Sequence, residues 1–336
     1  MPHAAIAELD AKPTLAYSRE LGKPLLVQVD ALILSLIKQE VPLIHDVAEH
    51  IISSGGKRLR PLLTLLCTMM LDYEGKRHIG LAAAVEFMHT ATLLHDDVVD
   101  DSHLRRGLAT ANNVWGNKPS VLVGDFLLSQ AFRLMVQDGS LEVLDVLSNA
   151  AAVISKGEVL QISTESQVDT SVELYLDVVQ AKTAELFAAA CEIAPVIAGK
   201  SELRPAFRQY GMSIGIAFQA VDDVLDYAAD EAKLGKSIGD DFKEKKVTLP
   251  VILLRDLVTP SERQQLDHFF DHGYTQQAGD IAQMHDWLER YDVHAHCGQF
   301  IQQYCQHAEE ALQAIPDHPV KRALEEIVAY GAGRTS

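Results

Sequence analysis

Two short stretches carry most of the chemistry legible in this chain: His95-Asp96-Asp97-Val98-Val99-Asp100-Asp101 and Ala220-Val221-Asp222-Asp223-Val224-Leu225-Asp226. Each places Asp-Asp-x-x-Asp at the end of a run whose apolar residues recur at helical spacing. In a helix the first and last carboxylates of the motif, Asp96 with Asp100 and Asp222 with Asp226, lie one turn apart on one face and can reach a common group of cations. All-oxygen donors select hard ions. Mg²⁺ above all keeps part of its water and completes its shell with phosphate oxygens. Two such motifs would clamp a diphosphate from both sides.

Folding alone would not choose this arrangement. The first motif puts Asp96, Asp97, Asp100 and Asp101 where the helix macrodipole is already negative, and like charges at i, i+4 cost about 0.2–0.5 kcal/mol per pair. A single copy is what a solvated helix end also looks like. Here each copy sits beside a polar residue on an apolar face, His89 and Gln219, and each is followed by a cationic loop. The cations Lys57, Arg60, Arg105 and Arg106 form short basic clusters in a chain whose formal charge is −18. Local sinks for phosphate explain them better than ordinary surface charge.

The elements that must position these groups read as helices throughout. Apolar periodicity predicts a helix from about 25 to 52, ending at Gly55-Gly56, then one from Pro61 to about 71 and one over about 78–101. Further helices are expected near 119–137, 141–165, 171–198 and 202–228, with no convincing strand signal. The expected class is therefore all-α. No linker, low-complexity tract or fixed-period repeat divides the 336 residues, so one domain over 1–336 is expected, with 1–20 as a loose N-terminal extension.

Composition excludes several classes. With 29 basic against 47 acidic residues the chain does not suit general nucleic-acid binding. The longest apolar run, Pro61 to Leu71, is about half of what a membrane span requires, so no integral membrane segment is expected. Glu8, Asp10 and Glu20 with no apolar stretch after them argue against a targeting peptide and for a cytoplasmic protein. The four cysteines fit no CxxC spacing. His294-Ala295-His296-Cys297 could bind a transition metal but lacks a second ligand pair. There is no GxSxG, Walker or GxGxxG motif, so the implied chemistry is departure of a diphosphate stabilised by metal and cations, beside an apolar cavity.

The segments GGKRLRP, HTATLLHDDVVDDSHLRRG, VLVGDFLLSQAF, AKTAELF, GIAFQAVDDVLDY and GKSIGDD followed by KKVTLP resemble the trans-polyprenyl diphosphate synthases, in family order from residue 55 to 250. The chain is most similar to the bacterial long-chain members. That resemblance implies the isoprenoid synthase fold, a bundle of antiparallel helices around a deep central cavity, assembled as a homodimer. It implies stepwise condensation of isopentenyl diphosphate onto an allylic diphosphate such as farnesyl diphosphate, giving an all-trans octaprenyl product for quinone side chains.

By the same resemblance, Asp96, Asp100 and Asp222 hold Mg²⁺, with Asp97, Asp223 and Asp226 supporting that shell. Lys57, Arg60, His89 and Arg106 bind isopentenyl diphosphate. Arg105, Lys182, Thr183 and Gln219 face the allylic substrate, with Lys236 and Lys246 near its diphosphate. Arg105 and Lys182 count with the aspartates as catalytic. Lys245 competes with Lys246, because Lys-Lys-Val-Thr stands where many relatives have Gly-Lys-Pro/Ala-Thr. Ala91 and Thr92 occupy positions where short-chain members carry bulky aromatics. With Met88 beneath them and Met135 as a candidate floor, they are expected to set product length. A shorter-chain synthase, a terpene cyclase and a non-catalytic partner subunit are the competing readings; the complete second motif and the Lys57/Arg60/His89 set speak against the last two.

Overall fold

Helical periodicity dominates, and the computed structural model is built accordingly; it describes residues 14–38, 40–164, 167–227, 239–271, 273–277 and 279–333. Helices α1 (Ala16–Lys38) and α2 (Pro42–Ser53) replace the single helix expected over 25–52. Pro42 accounts for the break: its ring suits a first helical turn but cannot continue one from the preceding residues. Residues 16–20, expected to be loose, form the first turns of α1. They are tied to the far end of the chain, where Ser18 Oγ donates to the Ala323 carbonyl at 2.7 Å. Helix α3 (Leu59–Met70) follows Arg58, whose φ of 48° makes the turn into it.

Helix α4 (Arg77–Val99) carries the first aspartate motif at its end. The loop expected after it contains a small hairpin, β1 (Leu104–Arg105) and β2 (Leu108–Ala109), which the sequence reading missed. Its turn residues Arg106 and Gly107 have φ of 54° and 78°. Positive φ at both central positions is the mirror-image turn that matches strand twist. Helices α5 (Ala111–Trp115), α6 (Asn117–Asp138), α7 (Leu141–Thr164) and α8 (Val172–Val179) follow. A single π-helical turn, Gln180–Ala184, then leads into α9 (Glu185–Ile197), and α10 (Arg204–Asp226) ends in the second motif. The remaining helices are α11 (Asp240–Lys243), α12 (Leu249–Leu257), α13 (Pro260–Phe269), α14 (Asp280–Arg290), α15 (Val293–Gln313) and α16 (Lys321–Ala332).

Every residue of α9 is buried, so it is the axis of the bundle. Its Phe187, Cys191 and Ala194 join an apolar cluster with α3, α10 and the C-terminal helices. Its Leu186, Ala189, Ala190 and Ile193 join a second cluster with α1, α4, α6 and α7. Two acids on this helix would be costly to bury alone. Glu192 is paired with Arg204 and Arg208, and Glu185 with Arg208 at 2.7 Å, so α9 and α10 are locked together. Among the described residues, α6 is the one helix long and apolar enough to cross a membrane. Its buried face, including Val123, Leu127, Ala131 and Met135, packs in the second cluster.

Candidate active site

Between α3, α4, α7, α9 and α10 lies a cavity of about 650 Å³. Asp96 stands on one wall, Asp222 and Asp226 on another, and Lys57, Arg60, His89, Arg105, Arg106, Lys182, Thr183 and Gln219 line the space with them. Thus residues separated by more than 160 positions converge as the motif spacing anticipated. Three further expected residues stand elsewhere. Asp97 is buried and braces the hairpin, accepting from Arg105 Nε at 2.9 Å while its carbonyl accepts from Asn112. Asp100 does not line the cavity; it pairs with Lys246 at 3.3 Å. Asp223 is buried beneath the surface of α10. Lys236 lies outside the described residues.

The cation side is built from the Gly55-Gly56 turn and the hairpin. A Cβ on Gly56 would stand 2.9 Å from Arg106 Nη1, so a side chain there would shift the Arg106 guanidinium. Arg58, between the cavity-lining cations Lys57 and Arg60, pairs with Glu86 and is structural. Lys57 lies 5.3 Å from the Phe218 ring and 5.2 Å from that of Tyr330, and the Arg60 guanidinium stacks 4.3 Å over Phe187. Aromatic faces hold cations without neutralising them. Burial pushes Arg60 down to about 10, against the raising effect of Glu86 and Asp222. Its Nη1 donates to His89 Nε2 at 3.1 Å, and its buried Nε has no partner in the protein. Burial, then the surrounding arginines, hold His89 well below the usual histidine range. His89 is therefore neutral and accepts at Nε2: it orients Arg60 rather than adding a charge.

The acid side is under-neutralised. Burial pushes Asp96 up to about 7 although Lys182 acts to lower it, and burial likewise pushes Asp223 to about 7. No three acidic or imidazole side chains among the described residues converge closely enough to hold an ion by themselves. Asp96 from α4 with Asp222 and Asp226 from α10, too few to complete a coordination shell, fit a hard divalent ion that takes its remaining ligands from water and a phosphate.

Lys182 and Thr183 owe their direction to the π-helical turn, a feature frequent at functional sites. Gly157 of α7 and Gly215 of α10 clasp it: a Cβ on either would stand 2.8 Å from Lys182 N or 2.5 Å from Ala184 Cα. Lys182 then reaches Glu158 at 2.8 Å. Glu158, Arg19, Phe187 and Phe218 line the cavity and were missed by sequence reasoning. A glycine inside an apolar helix was the available signal for Glu158; nothing in the sequence marked Arg19. The adjacent lysines differ in their partners: Lys245 donates to the Tyr274 carbonyl at 2.6 Å, whereas Lys246 pairs with Asp100 and Glu244 and lines a neighbouring cavity. Of the residues expected to set product length, Thr92 lines the cavity, while Ala91, Met88 and Met135 are buried in the second apolar cluster. The His294/His296/Cys297 donors diverge, with Cys297 buried and both histidines exposed.

His95 explains the Gly124-Asp125 pair on α6. A Cβ on Gly124 would stand 2.4 Å from His95 Nε2, and that nitrogen lies 3.3 Å from Asp125 Oδ1. Gly124→Ala is expected to displace His95 and the adjacent Asp96, at an overpacking cost of about 1–3 kcal/mol. Steady-state rates and melting of the variant check this: a fall in turnover larger than the loss of stability explains is the expected result.

A polyprenyl synthetase family model matches residues 41–288. The chain belongs to the polyprenyl synthetase family. It is 42% identical over 304 residues to octaprenyl diphosphate synthase of Escherichia coli, covering 88% of this chain and 91% of that one. Among solved structures it superposes on a decaprenyl diphosphate synthase from Rhodobacter capsulatus with TM-score 0.91 and 41% identity, over 96% of this chain and 100% of that one. It also matches a polyprenyl synthase from Caulobacter crescentus, complexed with calcium and isoprenyl diphosphate, at TM-score 0.92 and 39% identity, over 97% and 99% of the two chains. The all-α family fold and the expected membership in this family are thereby established.

Proposed function

We propose that this prenyltransferase condenses isopentenyl diphosphate stepwise onto an allylic diphosphate, farnesyl diphosphate in the first instance, to a long all-trans product of eight isoprene units. One observation carries the reading: a single cavity is lined by the aspartate-bearing ends of two helices together with Lys57, Arg60, Arg105, Arg106 and Lys182. Two acidic motifs and five cations in one space support the seating of two diphosphates there. Asp96 and Asp222, with Asp226, suit Mg²⁺ on the allylic side, and Asp100 joins them on release from Lys246. When bound, Mg²⁺ neutralises charge that develops on the departing diphosphate. Lys182 and Thr183 orient that group, and Lys246 adds charge beside it. Lys57, Arg60 and Arg106 seat the isopentenyl diphosphate. Its double bond attacks the allylic cation left by C–O ionisation, and the released diphosphate takes the proton, so no side-chain base is needed. The solved relative holding calcium and isoprenyl diphosphate supports a divalent ion and this ligand class.

The test is incubation of the purified chain with Mg²⁺, farnesyl diphosphate and excess isopentenyl diphosphate, followed by mass analysis of the dephosphorylated product. A C40 chain is expected; product formed without isopentenyl diphosphate would identify a cyclase. Product length itself is argued from α4. Thr92→Phe puts a ring in the cavity wall, and Ala91→Phe forces one into the alanine-rich cluster beside it. Both are expected to stop elongation several units early, Thr92→Phe more sharply. An unchanged product distribution from two active variants would show that the tail avoids this face.

We further propose a homodimer through the outer face of α6. Leu122 and Val136 there are 56% and 66% exposed, and Leu104, Leu108 and Val114 of the hairpin and α5 are exposed as well. An apolar face of this kind marks an interface, and a second copy supplies the complementary one. Sedimentation at micromolar concentration checks it, with dimer expected for the parent and monomer for Leu122→Glu/Val136→Glu.

A further inference from the structure

A second cavity, of about 200 Å³, adjoins the first and shares Lys182, Thr183 and Gln219 with it; Tyr175, Asp223, Asp241 and Lys246 are among its other polar lining residues. Tyr175 stands on α8, just before the π-helical turn, and was not marked by any motif. Its hydroxyl is buried and donates to Asp223 Oδ2 at 2.6 Å. The other oxygen, Asp223 Oδ1, accepts from Gln219 Nε2 at 2.7 Å. Gln219 Oε1 in turn accepts from Thr183 Oγ1 at 3.0 Å. The chain of bonds thus runs from a buried tyrosine to two groups that face both cavities.

Its directions are determined by elementary donor and acceptor chemistry. Both oxygens of Asp223 are engaged by donors from different helices, so the carboxylate plane cannot turn. Only the NH₂ of Gln219 can face that carboxylate, which leaves its carbonyl toward Thr183. Without the tyrosine hydroxyl, one oxygen of a buried carboxylate loses its donor, and the plane is free to rotate about the remaining bond. Gln219 and Thr183 would then lose a single orientation.

We propose that Tyr175 is a positioning residue for the allylic diphosphate: through Asp223 it holds Gln219 and Thr183 in the one arrangement that receives that group. This rests on the assignment of the allylic subsite given above. The competing role is packing alone, since the Tyr175 ring meets Phe300 edge-on at 6.3 Å between centroids. Tyr175→Phe keeps that contact and removes only the hydroxyl.

The experiment is calorimetric binding, in Mg²⁺, of an unreactive allylic thiodiphosphate and, separately, of isopentenyl diphosphate, with melting temperatures recorded. Tyr175→Phe is expected to weaken the allylic analogue about tenfold, near the lower end for a hydrogen bond to a charged group, and to leave isopentenyl diphosphate within twofold. In an Asp223→Asn background the same change is expected to add little, because the two act in series. Phe300→Leu, which disturbs the packing only, is expected to lower the melting temperature and spare the analogue. Equal weakening of both ligands, unchanged analogue affinity, additivity with Asp223→Asn, or an equal effect from Phe300→Leu would each overturn the proposal. If phenylalanine is not tolerated, para-aminophenylalanine at position 175 keeps a donor at the hydroxyl's place and Tyr175→Leu removes it: several-fold tighter binding by the amino variant is expected, and equal affinity overturns the proposal. A parent that binds the analogue yet forms no product refutes the assigned reaction, and the affinities still decide the role of Tyr175.

Discussion

Asp96→Ala and Asp222→Ala each reduce turnover by about 10²–10³, the usual consequence of losing a major electrostatic stabiliser of a departing anion. The two carboxylates line one cavity from different helices, so neither can substitute for the other. The fold is expected to survive both changes. Asp96 is held near 7 by burial, and its removal relieves crowding against Glu158 and Asp100. Melting temperature should therefore hold steady or rise while kcat collapses. Rates measured in saturating Mg²⁺ check this, and parent-like turnover in either variant would break the two-walled clamp. Chelation with EDTA should abolish activity of the parent.

Arg60→Ala is the second large effect, and it separates the substrates. Arg60 is buried against Phe187, oriented by neutral His89, and carries an Nε donor without a partner in the protein. A charge-assisted hydrogen bond contributes about 1.5–3 kcal/mol, so its loss should raise the KM for isopentenyl diphosphate about 10–100-fold. The allylic KM should change little. Arg60→Lys keeps the charge but loses the planar fork and the stacking, and should fall between. His89→Gln should reproduce a smaller version of the same selective defect, since it acts by aiming Arg60. Equal shifts in both constants would place Arg60 outside a dedicated isopentenyl pocket.

How far the site was legible depends on how local each signal is. The two aspartate motifs, Arg60, Arg105 and Arg106 were visible because charge of the wrong sign at a helix end, or clustered beside one, is unfavourable unless something is bound there, whereas Lys182 was marked only by family resemblance. The partition of those charges was not visible. Arg58 and Arg60 are two residues apart, yet Arg58 is consumed by Glu86 and Arg60 is left for a ligand. Lys245 and Lys246 are adjacent, yet one is tied to backbone carbonyls and the other reaches Asp100. Asp97 looked like its neighbours and proved to be a brace for Arg105. Each of these outcomes depends on a partner more than two residues away in sequence, which no pattern along the chain encodes.

The fold divides along the same line. Period and punctuation in the sequence determined that the chain is helical, where most helices end, and that two helices end in crowded carboxylates, because these follow from short-range backbone geometry and residue spacing. Local chemistry also specified the hairpin, through Arg106-Gly107, although two-residue strands leave too little alternation to read. Tertiary structure alone decided that α9 is the buried axis, that Gly157 and Gly215 clasp a π-helical turn to aim Lys182 and Thr183, and that Tyr175 reaches Asp223 from another helix. The reason is steric: helices approach to within a Cβ of one another only where both partners are placed, so the value of a glycine or a hydroxyl at such a point exists only in the packed state.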